Sequence, residues 1–460
     1  MNANRRLRTF LSISGFFLLI MTIFYMVILS EVPKRHDPFV LSTFIINGFL
    51  WTLMVAYESR KHAFSFALIH WLFCLLFFFF APMVQYIHNN FPWVRYRGDN
   101  LLFDANIFLL IWSIGVWTGQ NFKLQSKSKR TIKQINSIKV GLCSPIKYCF
   151  NENVYLIITI AIMLWRVKNI GIINLLSRGT NTYEWSNSSA TALLFDHIMQ
   201  ATEYMSAVVL IAGKKSPVKA LLASICLFIA YPPTGQARYA AAAICLGFIL
   251  TFSNRIKKGR CFLFLFLGGY LIVLPALNAF RHTDFLSVNF IDILSTMLKE
   301  YRTIWLEGDY DAYTMFTMSI DYVRNHGSTH FMQFIGALLF WIPREIWPTK
   351  PVGSGYHMAE TLGWSFKNLS CPLPGEAMIN FGVPGIVLFS LLIGKMTRTI
   401  DGLYWSNQHN SMRCIDILYP VLTIFFFFIS RGDMMSSMAY TMAYVAVGLV
   451  LTGFFMNHSE

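Results

Sequence analysis

A membrane span is predicted by the run Ala63-Phe-Ser-Phe-Ala-Leu-Ile-His-Trp-Leu-Phe-Cys-Leu-Leu-Phe-Phe-Phe-Phe-Ala-Pro-Met83, which has no Asp, Glu, Lys or Arg in its 21 residues. About 20 consecutive apolar residues are enough for a helix to cross the hydrocarbon core of a bilayer. Comparable apolar runs lie on both sides of this one along the chain. The sequence therefore predicts an all-α polytopic membrane protein.

The composition agrees with this fold class. Of 460 residues, 55% are hydrophobic and 13% are charged, whereas roughly a quarter of the residues in a soluble domain are charged. The net charge of +15 would suit a nucleic-acid partner, but the basic residues form short clusters between apolar runs, as the positive-inside rule describes. No nucleic-acid partner is predicted.

About twelve spans are expected. They cover residues 10–30, 39–57, 63–83, 103–119, 153–170, 192–212, 218–232, 236–253, 261–279, 376–394, 414–430 and 434–455. This predicts a bundle of about nine spans in residues 1–279, a long segment at 280–375 outside the membrane, and about three spans in 376–460. The run at 218–232 is short, and its loss would reverse every later span.

The basic clusters predict one orientation for the whole bundle. They comprise Arg60-Lys61, residues 123–147, Lys214-Lys215-Lys219, Arg255-Lys257-Lys258-Arg260 and Lys395-Arg398-Arg413. With a cytoplasmic amino terminus, all five lie on the cytoplasmic side. Both termini are then cytoplasmic, and the 280–375 segment is outside.

Most of the candidate chemistry lies in that outside segment. Periodic apolar residues predict helices over Phe290–Trp305 and Tyr310–Val323, lying on the membrane surface or packing on the bundle. Between them and the next span comes Trp341-Ile-Pro-Arg-Glu-Ile-Trp-Pro-Thr-Lys-Pro-Val-Gly-Ser-Gly355. Its two cations, Arg344 and Lys350, suit an anionic group, and Trp341 and Trp347 offer flat faces for sugars.

Three further arginines are candidates for binding phosphate. Arg238 follows a Pro-Pro-Thr-Gly turn and begins a predicted helix, where free N–H groups also favour an anion. Arg281 follows the ninth predicted span, and Arg302 lies on a predicted amphipathic helix. Guanidinium groups bind phosphate oxygens two at a time. The alternatives are snorkelling to lipid headgroups for Arg238 and surface ion pairs for the other two.

Acidic residues near these cations have open roles. Asp309 and Asp311 could bind sugar hydroxyls or supply a base, or Asp309 could cap a helix. Glu376 and Asn380 lie on one face of a predicted helix entering the membrane. Burial would raise the pKa of Glu376 to a value useful for a general base, whereas pairing with Arg344 would lower it.

Two other patterns concern the polar residues of the spans and the histidines and cysteines. Asp196, Gln200 and Glu203 share a face of the sixth predicted span, which suits a proton path, a polar wall beneath a site, or hydrogen bonds between helices. No metal or cofactor is predicted, because His326 and His330 have Gly327 and Ser328 between them and no obvious third ligand. Only Cys371 of the eight cysteines is predicted outside, and no CxxC pair occurs.

Two stretches of the chain resemble the O-antigen polymerase (Wzy) family of oligosaccharide repeat unit polymerases. They are Pro343-Arg-Glu-Ile-Trp-Pro-Thr-Lys-Pro-Val-Gly-Ser-Gly355 and Gly375-Glu-Ala-Met-Ile-Asn-Phe-Gly-Val-Pro-Gly385, with weaker support from Thr234-Gly-Gln-Ala-Arg238. The predicted topology is also similar over most of the chain. Arg344 and Gly355 match an arginine–glycine spacing described for some members.

The resemblance implies a glycosyltransferase of the bacterial inner membrane that moves a growing glycan from undecaprenyl diphosphate onto a lipid-linked repeat unit. It implies that Arg238, Arg281 and Arg344 bind diphosphate, that the active site is periplasmic, and that a chain-length regulator is a potential partner. Glu376 is assigned as base from its position alone. The alternatives are an O-antigen ligase and a flippase or other transporter of lipid-linked oligosaccharides.

Overall fold

The computed structural model describes residues 35–94, 97–122, 142, 151–176, 190–213, 216–252, 261–270, 304–405 and 412–452. These residues form helices joined by turns, with no β-strand among them. The predicted span at 10–30, most of the predicted helix Phe290–Trp305, Arg281 and Arg302 lie outside the described residues.

The helices are numbered in chain order over the described residues. They are α1 Pro38–Lys61, α2 Phe66–His88, α3 Asp99–Asn121, α4 Glu152–Ile170, α5 Ile172–Leu176, α6 Ala190–Gly213, α7 Pro217–Ala230, α8 Arg238–Phe252, α9 Cys261–Gly268, α10 Ala312–His326, α11 Met332–Leu338, α12 Ser354–Thr361, α13 Leu373–Phe381, α14 Val383–Trp405, α15 Cys414–Arg431 and α16 Met434–Leu451.

Seven helices in the described part of the chain are long and apolar enough to cross a membrane, namely α1, α2, α3, α4, α14, α15 and α16. They indicate a multi-pass membrane protein, as the composition predicts. Two apolar helices are shorter: α7 has 14 residues and α8 has 15. The total of twelve spans stays a prediction.

The chain forms two compact units. The first consists of residues 1–122, 298–399 and 426–438, and the second of residues 123–297, 400–425 and 439–460.

Contacts between side chains fix the helix directions in the first unit. Phe44 lies beside Tyr86, with ring centroids 6.0 Å apart, and Trp51 lies beside Phe78, so α1 and α2 are antiparallel. The Asn47 amide donates to the Asn106 carbonyl, and Trp51 Nε1 donates to Ser113 Oγ, so α1 and α3 are parallel.

Helix α14 runs in the same direction as α3, and glycines permit close contact between them. A Cβ at Gly115 would overlap Ser390, and one at Gly119 would overlap the Leu391 carbonyl. On α14 itself, a Cβ at Gly394 would likewise overlap the Val116 carbonyl of α3. Glycines four residues apart allow membrane helices to approach closely and gain van der Waals contact.

One predicted span is wrong in its limits. Residues 376–394 do not form a single helix, because α13 ends at Phe381 and α14 begins at Val383. Gly382 between them has a φ of 64°, a left-handed conformation that favours glycine. Pro384 then occupies the first turn of α14, where proline fits. Glu376 therefore lies on a short separate helix before the span.

The helix predicted at Tyr310–Val323 is observed as α10. Of the two predicted placements, it packs on the bundle: Tyr313 Oη donates to Asn106 Oδ1 at 3.0 Å, and residues 312–320 are buried. Helix α10 ends at His326 and Gly327 follows, so His326 and His330 do not share a helix.

Candidate functional site

The structure joins the two stretches that carry the family resemblance. Ser354 Oγ, at the start of α12, donates to Glu376 Oε2 at 2.5 Å. The backbone N–H of Met434, at the start of α16, donates to Glu376 Oε1 at 2.9 Å. Both oxygens of this buried carboxylate therefore have a partner. Glu376 links three segments that are distant in the sequence.

A second carboxylate, Asp433, lies beside the first. It precedes Met434, and its Oδ1 accepts the Ser436 N–H at 3.0 Å, which caps the first turn of α16. A Cβ at Gly353 would overlap the Asp433 carboxylate, so a larger residue there would displace that side chain. Glu376 is 2% exposed, whereas Asp433 is partly exposed. Asp433 is the more accessible member of the pair.

Burial, reinforced by the charge of Asp433, raises the pKa of Glu376 from its ordinary 4.5 to about 8. Burial also raises the pKa of Asp433. The hydrogen bonds from Ser354 and Met434 act in the opposite direction. No ion pair joins Glu376 to Arg344 in the described part of the chain. Burial, which raises the pKa of Glu376, therefore outweighs the lowering expected from a pair with Arg344.

This raised pKa predicts how stability depends on pH. The folded protein binds the Glu376 proton more tightly than the unfolded chain, so the stabilisation is complete below pH 4.5 and is lost as the pH rises through about 8. We expect the melting temperature to fall between about pH 5 and about pH 8. Thermal unfolding of Glu376→Gln should show a smaller fall, with the exposed Glu360→Gln as control. An equal fall in Glu376→Gln and in the unmutated protein would contradict the assignment.

The two cations of the Trp341–Gly355 stretch differ in accessibility. Arg344 is exposed, and its Nη1 donates to the Lys350 carbonyl at 2.8 Å. Lys350 is 9% exposed, and its ammonium donates to the carbonyls of Phe340 and Ile342. Burial, and then the charge of Arg344, lowers the pKa of Lys350. Arg344 is therefore the one of these two that an anion can reach directly.

The predicted sugar ligands also differ. Trp341 is 61% exposed, and Trp347 and Asp309 are partly exposed. Asp311 is buried, and it accepts hydrogen bonds from Ser370, Arg431 and Trp93. This carboxylate holds the fold together and is enclosed, which does not suit an open sugar site. Asp309 does not cap α10, because the capping position is Asp311 and it makes no side-chain capping bond.

Two residues of this region were missed from the sequence, Arg431 and Asp433. Arg431 is the last residue of α15, and Asp433 lies in the short turn between α15 and α16. The Arg431 side chain is 26% exposed and pairs with Asp311 at 3.1 Å. The available signal is a cation and an anion two residues apart where two apolar runs are separated by a very short connection.

The second unit contains Arg238 and the predicted polar face of α6. Arg238 begins α8 as expected, after a turn closed by the Gly235 N–H and the Pro232 carbonyl at 3.1 Å. On α6, Asp196 forms an ion pair with the buried Arg166, and the Gln200 amide donates to Gln236 at 3.0 Å.

Glu203, one turn further along α6, is buried, and neither carboxylate oxygen has a hydrogen-bond partner among the described residues. On the polar face of α6, Gln200 and Glu203 are therefore buried within the second unit, whereas Asp196 is partly exposed.

Comparison of the chain with protein families, with curated proteins and with solved structures finds no match.

Proposed function

We propose that this chain is a polysaccharide polymerase of the bacterial inner membrane. It transfers a growing glycan from undecaprenyl diphosphate to a lipid-linked oligosaccharide repeat unit at the periplasmic face. The observation that carries the proposal is the contact of Ser354 with Glu376, beside Asp433. This contact unites the two stretches that resemble the polymerase family with a carboxylate pair suited to accept a proton.

In the proposed reaction, a hydroxyl of the acceptor repeat unit attacks the anomeric carbon of the donor glycan. The bond between that carbon and the diphosphate oxygen breaks, and the diphosphate leaves with the bonding electrons. The hydroxyl proton passes to the carboxylate of Asp433, which is the more exposed residue of the pair. Glu376 fixes the position of Asp433 through the Met434 N–H. The base is thus assigned to the pair, with Asp433 as the member that touches substrate.

Cations are needed where the diphosphate leaves. Arg344 is exposed and keeps its charge at any physiological pH, so it stabilises the negative charge that develops on the leaving group. The partly exposed Arg431, two residues before Asp433, supplies a second guanidinium. Arg238, Arg281 and Arg302 stay predicted diphosphate ligands. Trp347, three residues from Arg344 in the chain, is assigned to the sugars.

Reconstitution tests the proposed function. The purified chain in proteoliposomes, given defined undecaprenyl-diphosphate-linked repeat units, should produce a ladder of longer lipid-linked glycans. Elongation without a membrane gradient separates a polymerase from a transporter. Product formed only when lipid A core is supplied as acceptor would instead identify a ligase. Repeat units that stay unextended under all of these conditions would overturn the proposal.

Arg344→Ala should slow elongation about tenfold or more, because a charge-assisted contact to the leaving diphosphate is lost. The partly exposed Lys367, which pairs with Glu360 on the same segment, supplies the matched control Lys367→Ala. Polymer length on gels and melting temperature should be measured on the same preparations. Normal ladders from Arg344→Ala would remove this arginine from the site.

A transporter of lipid-linked oligosaccharides is the second candidate function. The observation that favours it is the buried polar face of α6, where Asp196 pairs with Arg166 and Glu203 has no hydrogen-bond partner among the described residues. Intramembrane ionisable residues commonly mark transport pathways. Movement of labelled lipid-linked glycan across vesicles, sensitive to Glu203→Gln and without elongation, would support this candidate.

A further inference from the structure

Residues 331–343 form an apolar run that is too short to cross a membrane. The run Phe-Met-Gln-Phe-Ile-Gly-Ala-Leu-Leu-Phe-Trp-Ile-Pro contains no charged residue in 13 positions. Apolar runs of about 10–14 residues belong to buried core helices or to re-entrant and interfacial segments. A core helix is excluded here by exposed side chains: Met332 is 47% exposed, Leu338 44% and Trp341 61%.

This exposed apolar surface continues that of α14. The ring centroids of Phe331 and Phe381 lie 5.0 Å apart, and those of Phe334 and Phe389 lie 5.2 Å apart. Phe389 is the seventh residue of α14 and so lies about 9 Å along that helix. Nearby on α14, Val387 and Leu388 are 44% and 50% exposed. Exposed apolar side chains on a membrane span face lipid. The beginning of the 331–343 run therefore lies beside a lipid-facing part of α14, at a depth within the bilayer.

The start of the segment has its backbone groups satisfied by protein, as lipid burial requires. The N–H of Phe331 donates to the Asn380 carbonyl at 3.2 Å, and the N–H of Phe334 donates to Asn380 Oδ1 at 2.9 Å. Positive φ angles of 48° at His330 and 75° at Phe331 turn the chain sharply at this point. Residues other than glycine rarely adopt this conformation, so the surrounding structure must hold it.

The end of the segment is satisfied in the same way. The Lys350 ammonium donates to the carbonyls of Phe340 and Ile342, which lie in a turn without a regular helix. In water these carbonyls would have solvent partners, and an exposed lysine would be free to extend. A buried ammonium placed on two turn carbonyls is the arrangement expected where water is scarce. Just beyond, Ile346 is 76% exposed.

We infer that residues 331–346 insert into one leaflet of the bilayer as a re-entrant segment. Leu338 and Ile346 contact acyl chains, Trp341 lies at the boundary with the headgroups, and Arg344 lies at the level of the phospholipid phosphates. The occupant of this surface is phospholipid, which assigns Trp341 to lipid instead of sugar. The inference does not depend on the proposed enzymatic activity.

Spin labelling tests the insertion. In a background with Cys143→Ser, Cys149→Ser, Cys245→Ser and Cys261→Ser, single cysteines carrying a nitroxide replace Leu338, Trp341 or Ile346. Nanodiscs of phosphatidylethanolamine and phosphatidylglycerol hold the protein. Power-saturation EPR then compares accessibility to oxygen, which concentrates in lipid, with accessibility to a water-soluble nickel chelate.

Two reference positions calibrate the result. A label at Leu388 on α14 reports lipid, and a label at the exposed Asn368 reports water. We expect oxygen-to-nickel ratios at 338 and 346 that are several-fold above the ratio at 368 and close to the ratio at 388, with 341 between them. A ratio at 338 and 346 equal to that at 368 would overturn the inference. If a labelled variant fails to fold, Met332, also exposed, provides a further position for the same readout.

Discussion

Asp433→Asn should lower the rate of glycan elongation by about 100-fold or more, since general acid–base groups contribute roughly that factor. Asparagine keeps the acceptor oxygen that caps α16 and the shape that fits against Gly353, so the fold should survive. What it removes is the ability to take a proton. The measurement is the initial rate of ladder formation in proteoliposomes, together with the melting temperature of each preparation.

Glu376→Gln is the comparison that separates the two members of the carboxylate pair. Glu376 is enclosed, and it positions the neighbouring turn through the Met434 N–H, so its amide variant should retain more activity than Asp433→Asn. The pH optimum of Glu376→Gln should also shift, because the raised pKa of Glu376 no longer contributes. Full activity in Asp433→Asn would refute the assignment of this residue as base, even if the wild-type chain polymerises.

Gly119→Leu should strongly destabilise the folded protein. The Cβ alone would overlap the Leu391 carbonyl of α14, and that backbone cannot move without separating the two helices. Inserting a large side chain into a close-packed interface costs about 3 kcal/mol, a large part of the stability of an ordinary domain. Expression level, size-exclusion profile and melting temperature in detergent provide the measurement.

Gly402→Ala is the control for this prediction. Gly402 also lies on α14, but nothing comes within 4 Å of a Cβ placed there. Alanine has a higher helix propensity than glycine, by roughly 1 kcal/mol. This variant should therefore be as stable as the unmutated protein or slightly more stable. Equal stability of Gly119→Leu and Gly402→Ala would mean that α3 and α14 do not pack closely.

Sequence periodicity located the helices better than it located their interruptions. The run at 63–83 predicts α2, observed at Phe66–His88, and the run at 414–430 predicts α15, observed at Cys414–Arg431. A long apolar run determines the helix by itself, because a helix satisfies its own backbone groups in lipid. The break at Gly382 was missed, since apolar residues continue through it and only the local φ angle reveals it.

The candidate site could be predicted only in part. The Gly-Ser-Gly355 stretch and Glu376 are visible in the sequence as separate features. The hydrogen bond between Ser354 and Glu376 depends on the tertiary structure, and residue spacing does not predict it. Asp433 cannot be predicted as a site residue, because a single carboxylate in a short turn resembles any capping residue. Lys350 and Asp311 are candidates by their charge, but in the structure both side chains bind internal partners.

The shared direction of α3 and α14 constrains the topology of everything between them. Helix α3 ends on one side of the bilayer and α14 must start on the opposite side, so the intervening chain crosses the membrane an odd number of times. The five runs between residues 153 and 279 satisfy that parity. If the 14-residue α7 does not cross, the number of crossings in the rest of the intervening chain must also change by one.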